Sequence, residues 1–258
     1  MNQTAAARSG SEGRVELACA YVLHRRPYRE SSALVEAFGA EHGRIGLVAR
    51  GARRPSSRLR SVLQPFRPLL LSWSGRGELG TLTAAEPERS VPPLPAPALA
   101  SGFYVNELLL RLLPRHDAHA ALFESYREAL EGLTTAAAPE PVLRIFEKRL
   151  LDAIGYGLVL GHEADTGGPI EPDTLYRYHA EQGPVAPART ATERTGVAVH
   201  GLTLIALARE ELDDPRTLRE AKRLMRTVLA AYLGPRPLAS RALLKRWGRT
   251  PLGETTRE

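Results

Sequence analysis

The sequence predicts a β + α multidomain chain, with a small closed barrel near the N-terminus and then a mostly helical domain carrying a small irregular insert. Three observations predict it. From about residue 15 to 86, short apolar runs with partial alternation are separated by glycine-bearing turns. Five prolines (Pro87, Pro92, Pro93, Pro95 and Pro97) then fall between 87 and 97. Proline fixes φ and lacks a backbone donor, so neither a helix nor a central strand continues through that stretch. Beyond it the apolar spacing becomes helical.

The barrel strands are expected at Val15–Leu23, Ser32–Phe38, Gly43–Ala49, Pro68–Trp73 and Leu79–Ala84, with Gly75-Arg76-Gly77 turning between the last two. Five strands in this length suit a closed barrel, because closure removes exposed edges. Helices follow at 98–113, with Phe103, Leu108, Leu109 and Leu112 on its apolar face, and at 117–132, with Asp117 as N-cap and Gly132 as stop. A third opens at Pro139 or Pro141 and runs to about Ile154. A short one covers 203–209, and a fifth covers 217–233 before Gly234-Pro235. The insert, 158–200, holds strand-like pieces at Thr174–Tyr178 and Gly183–Pro187. The boundaries are therefore a flexible tail at 1–14, a barrel at 15–86, a proline-rich linker at 87–97 and a helical domain at 98–250.

The 258 residues carry a formal net charge of +6, unevenly spread. Residues 1–90 hold 14 Arg/Lys against 8 Asp/Glu, residues 91–208 hold 9 against 14, and residues 209–258 hold 12 against 7. Two basic ends around an acidic middle point to a polyanionic partner, against the plainer reading of an arginine-rich composition that serves solubility. No stretch has the apolar length of a membrane span, and the polar start lacks a secretory signal, so a cytoplasmic protein is expected. The single cysteine, Cys19, excludes an internal disulfide and a cysteine-only zinc site; it is expected as a small buried strand residue.

The sharpest feature is RIGLVARGARRPSSRLR, residues 44–60, with six arginines and no acid. Arg44, Arg50, Arg53, Arg54, Arg58 and Arg60 are read as a flexible strand end and loop. Guanidinium forks match phosphate oxygens, and each phosphate neutralised releases counterions, so affinity comes without a base code. The competing reading is a solvated turn. Lys222, Arg223 and Arg226 form a second basic group on the fifth helix, Lys222 and Arg226 sharing a face. Tyr28, in the polar turn RRPYRES, could stack on a base.

Enzyme readings fail. No phosphate-binding loop or G-x-S-x-G elbow is present, and GRGELG (75–80) lacks dinucleotide spacing. His162, Glu163 and Asp165, with His179 and Glu181, make a weak metal signal; His116 and His119 read as surface. No catalytic residue, cofactor or metal is expected.

Several long stretches carry a resemblance: YVLHRRPYRESS (21–32), GRIGLVARGAR (43–53), LQPFRPLLLSWSGRGELGTLTAAE (63–86) and GFYVNELLLRLL (102–113). Further on stand RIFEKRLLDAIGYG (144–157), TLYRYHAEQG (174–183) and LREAKRLMRTVLAAYLGPRPLASRALL (218–244). In this order they resemble the bacterial RecO family of recombination mediators. The resemblance implies an OB fold, binding and annealing of single- and double-stranded DNA, and partnership with RecR and with the acidic C-terminal peptide of single-stranded DNA-binding protein. The joint task would be loading RecA. It also implies DNA contacts at Arg44, Arg50, Arg53, Arg54 and Arg58, contacts to DNA or peptide at Lys222, Arg223 and Arg226, and a peptide site at Arg144; Lys148, four residues on, shares its helix side. Where some members hold zinc with four cysteines, this chain has His162 and Asp165 and no cysteine near 183–188, so the insert reads as a degenerate zinc finger. An RNA-binding barrel or an adaptor for acidic protein tails stands as the alternative.

Overall fold

The computed structural model describes residues 13–75, 77–186 and 195–247, with side chains to Leu244. The tail up to residue 12, Arg76 of the expected turn and residues 187–194 of the insert lie outside the described residues. The chain divides into two compact units, 1–93 with 114–120 and 94–113 with 121–258.

In the first unit five strands close a barrel in the order β1-β2-β3-β5-β4. They are β1 (Arg14–Tyr28), β2 (Ser32–Gly39), β3 (Gly43–Ala49), β4 (Pro68–Ser74) and β5 (Leu79–Pro87). Only the β3–β5 pairing is parallel; the others are antiparallel. That order and that single parallel seam are those of an OB-type barrel. Its interior is filled by Val22, Val35, Ile45, Leu47, Leu69, Leu71 and Trp73, plugged by Ala52 and Leu63 from the connection after β3. β1 outruns its expected end because its first half pairs with β4 up to Tyr21, while its second half continues along β2 to Tyr28↔Ser32. Tyr28 therefore closes a strand and does not sit in a turn. Cys19 is only half-buried, since its register partner Leu70 lies on the outer face of the barrel.

Residues 114–120 return to the barrel unit. Asp117 does not cap a helix: the next helix starts at Ala120, and Asp117's backbone packs on Gly43, where a Cβ would lie 1.9 Å from its carbonyl oxygen.

The second unit contains α2 (Ala96–Leu112), α3 (Ala120–Thr135), α4 (Glu140–Ala153), α5 (Gly201–Arg209), α6 (Pro215–Leu233) and α7 (Ser240–Trp247), with a small sheet ordered β7-β6-β8. The sheet strands are β6 (Leu175–His179), β7 (Gly183–Val185) and β8 (Val197–His200), and α1 (Leu59–Val62) belongs to the barrel unit. Gly132 does not stop α3. The helix runs three residues further because Gly132 makes room for Val142 of α4. Phe103 is 39% exposed and so leaves the apolar face of α2, which is built from Tyr104, Val105, Leu108 and Leu109. In the insert, Tyr178 accepts from the Val159 amide (3.1 Å), while Tyr176 accepts from the Glu171 amide (3.0 Å) and donates to Glu163 (3.1 Å). Burial pushes both phenols up. Among the described residues no three His, Cys, Asp or Glu are grouped as a metal site, and no helix is long and apolar enough to cross a membrane.

Candidate nucleic-acid interface

The arginine segment is a succession of tight turns ending in a short helix. Gly51, at φ +68°, lets the chain leave β3. Amide–carbonyl bonds then close each step: Arg54 to Gly51 (3.0 Å), Ser57 to Arg54 (3.0 Å) and Arg60 to Ser57 (3.1 Å). The last turn becomes α1, whose Leu63 amide bonds to Leu59 (3.0 Å). The expected flexible loop is instead ordered, because Ala52 and Leu63 are buried in the barrel core. With the small and apolar residues inside, Arg50, Arg53, Arg54, Arg58 and Arg60 all point to solvent.

The segment is tied to the β1–β2 turn. The Arg53 amide donates to the Ser31 carbonyl (2.9 Å), and its guanidinium donates to the carbonyls of Arg29 (3.2 Å) and Glu30 (3.1 Å). Arg25 of β1 donates to the Arg60 carbonyl (3.1 Å). Two open grooves result, of about 630 and 420 Å³. Arg25 and Arg60 border both; Arg58 and four polar side chains line the larger, and Arg26 and Arg53 line the smaller. Among the described residues no carboxylate pairs with any of these arginines, nor with Arg50 or Arg54. Arg29 lies over the Tyr28 ring, 5.3 Å from its centroid.

The sequence reading missed Arg25 and Arg26. Their signal was the HRRPYR cluster, but only barrel closure brings it beside residues 53–60. Arg44 does not join them. It opens β3, at the end opposite Arg50, and its side chain is 19% exposed and 3.7 Å from the Glu36 carboxylate. Burial lowers its pKa, Glu36 opposes that, and Arg115 adds to it.

In the helical unit, α6 is capped by Asp214, which accepts from the Thr217 amide at 2.7 Å. Its buried face is Thr217, Glu220, Ala221, Leu224, Met225, Val228 and Leu229. The opposite face exposes Lys222, Arg223 and Arg226, together with Arg216 and Arg219. Lys222 is paired to Glu140 (2.6 Å), and Arg223 donates to the Ala198 carbonyl (3.0 Å).

Arg144 was expected at the edge of an accessible groove, yet it is 5% exposed. Its guanidinium donates to the fully buried Glu147 (2.6 Å), which also accepts from Tyr104 (2.5 Å), and it lies 3.8 Å from Glu140. Burial holds the Glu147 carboxyl above the usual carboxylate range, although Arg144 pulls the other way. Among the described residues, no hydrogen-bond partner meets the buried Arg144 Nε, Glu140 Oε2 and Glu147 Oε2. Lys148 is shared between Asp152 (3.2 Å) and Glu210 (3.3 Å). The α4 charges are thus engaged internally, because acids stand one turn away on either side of Arg144.

Two family descriptions match the chain: "Recombination protein O N terminal" over residues 16–91 and "Recombination protein O C terminal" over 96–242. The chain is 52% identical over 245 residues to a DNA repair protein RecO of Nitrosococcus oceani, covering 95% of this chain and 98% of that protein. It is 53% identical over 247 residues to the protein of that name from Alkalilimnicola ehrlichii, covering 95% and 97%. The corresponding protein of Methylococcus capsulatus is 51% identical over 240 residues, covering 93% and 97%. An OB-type barrel with an exposed arginine cluster, a helical unit behind it in sequence, and matches that run through both agree on one conclusion: the chain belongs to the RecO family of DNA repair proteins.

Proposed function

We propose that the chain is a non-enzymatic recombination mediator that binds single- and double-stranded DNA through the phosphate backbone and anneals complementary strands. With RecR it promotes RecA loading onto DNA coated with single-stranded DNA-binding protein, in the cytoplasm at the nucleoid. One observation carries the reading: two grooves share Arg25 and Arg60 and are bordered by further exposed arginines that, among the described residues, have no carboxylate in pairing distance. A cluster of that density repels itself until an anion neutralises it, and guanidinium forks suit phosphate. The proposed contacts are Arg50, Arg53, Arg54, Arg58 and Arg60 with Arg25 and Arg26; Lys222, Arg223 and Arg226 form a second set. Neutralising two backbones at once lets complementary strands approach, and contacts without base readout permit a search for register.

The acidic C-terminal peptide of single-stranded DNA-binding protein is proposed on the exposed face of α6, at Lys222, Arg223 and Arg226, because Arg144 and Lys148 are taken up by Glu147, Asp152 and Glu210. The test is annealing of complementary oligonucleotides, bare and coated with the cognate single-strand binding protein. Faster annealing by the parent protein in both forms, and loss of that acceleration in Arg53→Ala/Arg54→Ala, is expected. Annealing no faster than the spontaneous rate contradicts the reading.

A further inference from the structure

The barrel has a second cleft, at the other end of β3 from the arginine grooves. The seven residues of β3 separate the two by about 20 Å. This cleft measures about 280 Å³ and is lined by Val15, His42, Ile45, Trp73, Gly75, Gly77, Glu78 and His116. Four separate segments build it, β1 contributing Val15. The β2–β3 turn supplies His42, whose ring stands edge-on to the Trp73 indole with centroids 5.0 Å apart. The β4–β5 turn supplies Glu78 and two glycines, Gly75 at φ +120°. The returning segment supplies His116, held at φ +60°, a left-handed conformation uncommon outside glycine.

That returning segment is firmly seated. The His116 amide donates to the Arg44 carbonyl (2.9 Å). Arg115 forks between Glu36 and Glu78, at 3.2 Å from the latter. Gly43 admits the Asp117 backbone with no room for a Cβ. The expected surface histidine at 116 is thus fixed at the mouth of a cleft. The floor is apolar (Val15, Ile45 and the nearly buried Trp73) and the rim offers two imidazoles and a carboxylate. An apolar floor with a few convergent polar groups is what a small planar ligand requires, and this volume lies just below the range of drug-sized sites, about 300–1,000 Å³, as suits a single ring system. It is too small for a dinucleotide. Among the described residues no metal-holding trio is present.

We propose that this cleft holds a single unpaired nucleobase of the bound strand. The base would lie against the His42 and Trp73 rings, its polar edge meeting Glu78 and His116. The proposal rests on the reading that the chain binds DNA, and it adds a base contact to a backbone contact. Stacking of this kind tolerates every base, since each has a π-face.

Trp73 is one of two tryptophans, so the full-length Trp247→Phe protein reports on the cleft by fluorescence. It is titrated with an oligothymidylate and with an abasic oligonucleotide of equal length. The expected result is binding of both, with quenching of Trp73 by the base-bearing strand alone and about tenfold tighter binding of that strand. His42→Ala, checked for folding by circular dichroism, is expected to bring the two affinities together. Equal affinity and equal fluorescence response for the two strands overturns the cleft assignment and leaves the arginine grooves standing. Failure of both strands to bind overturns the DNA reading, and the base site with it.

Discussion

Two arginine-bearing regions use the same side chain in opposite ways. In the barrel unit, Arg50, Arg54, Arg58 and Arg60 reach solvent while Ala52 and Leu63 hold their backbone in the core. In the helical unit, Arg144 is buried on Glu147, and Arg149 is clamped by Glu210, with bonds of 3.0 and 2.6 Å, and by Glu128. The difference lies in the neighbours. Residues 44–60 contain no acid, whereas Arg144 has Glu140 four residues before it and Glu147 three residues after. Arginine with acids one helical turn away becomes structure; arginine without them is left for a ligand.

The comparison breaks most visibly in stability. Arg144→Ala leaves Glu147 buried without its counter-charge, and a loss of about 3–5 kcal/mol in denaturant unfolding is expected. Arg54→Ala/Arg58→Ala is expected to change stability by no more than about 0.5 kcal/mol per site. Comparable losses in the two variants would erase the distinction. Arg144→Lys keeps the charge but not the fork. It is expected to stay folded but to recover only part of the Arg144→Ala loss in denaturant unfolding, because an ammonium cannot reproduce the guanidinium contact with Glu147. Full recovery would show that charge alone holds the buried pair.

Acid titration sharpens the contrast within the helical unit. Hydrogen bonds from Arg149 hold the Glu210 carboxyl below its ordinary value. Its contribution is therefore present above the unfolded pKa of about 4.3 and is lost as pH falls through the depressed folded value. Glu147 has the opposite sign. Burial raises its folded pKa, so its contribution is present below the unfolded value and is lost as pH rises through the folded one. Glu210→Gln is expected to flatten the acid limb of the stability profile, and Glu147→Gln to leave that limb steep. Identical limbs in the two variants would contradict these signs. The smallest effect is expected for Lys222→Ala, whose exposed pair with Glu140 contributes about 0–1 kcal/mol.

Much of this was legible in the sequence. Gly43–Ala49 was expected and found without change, and β2, β4 and β5 differ from expectation by one to three residues at one end, because alternation and glycine turns are local signals. What escaped depends on distant partners. β1 continues through His24-Arg25-Arg26-Pro27 because β2 pairs with it there. β8 was missed because four residues make a strand only beside β6. The short α7 follows Pro237 and is capped from afar, Glu107 of α2 accepting from the Ser240 amide (2.8 Å) and hydroxyl (2.6 Å). At the candidate site, the exposed arginines were legible from the missing acids. Arg25 and Arg26 were not, since the Arg25–Arg60 contact spans 35 residues. Arg44 and Arg144 were misplaced because a sequence shows charge before it shows burial.

The most direct test of the central claim is the salt dependence of DNA affinity. For four to six phosphates contacted by the parent protein, log K against log salt should have a slope of roughly −3 to −5, with little dependence on base sequence. Each arginine removed among Arg53, Arg54, Arg58 and Arg60 should make it less steep by about 1. The fourfold alanine variant, still folded, is therefore expected near −1 or flatter. A fourfold variant with the parent's slope and affinity would contradict the account.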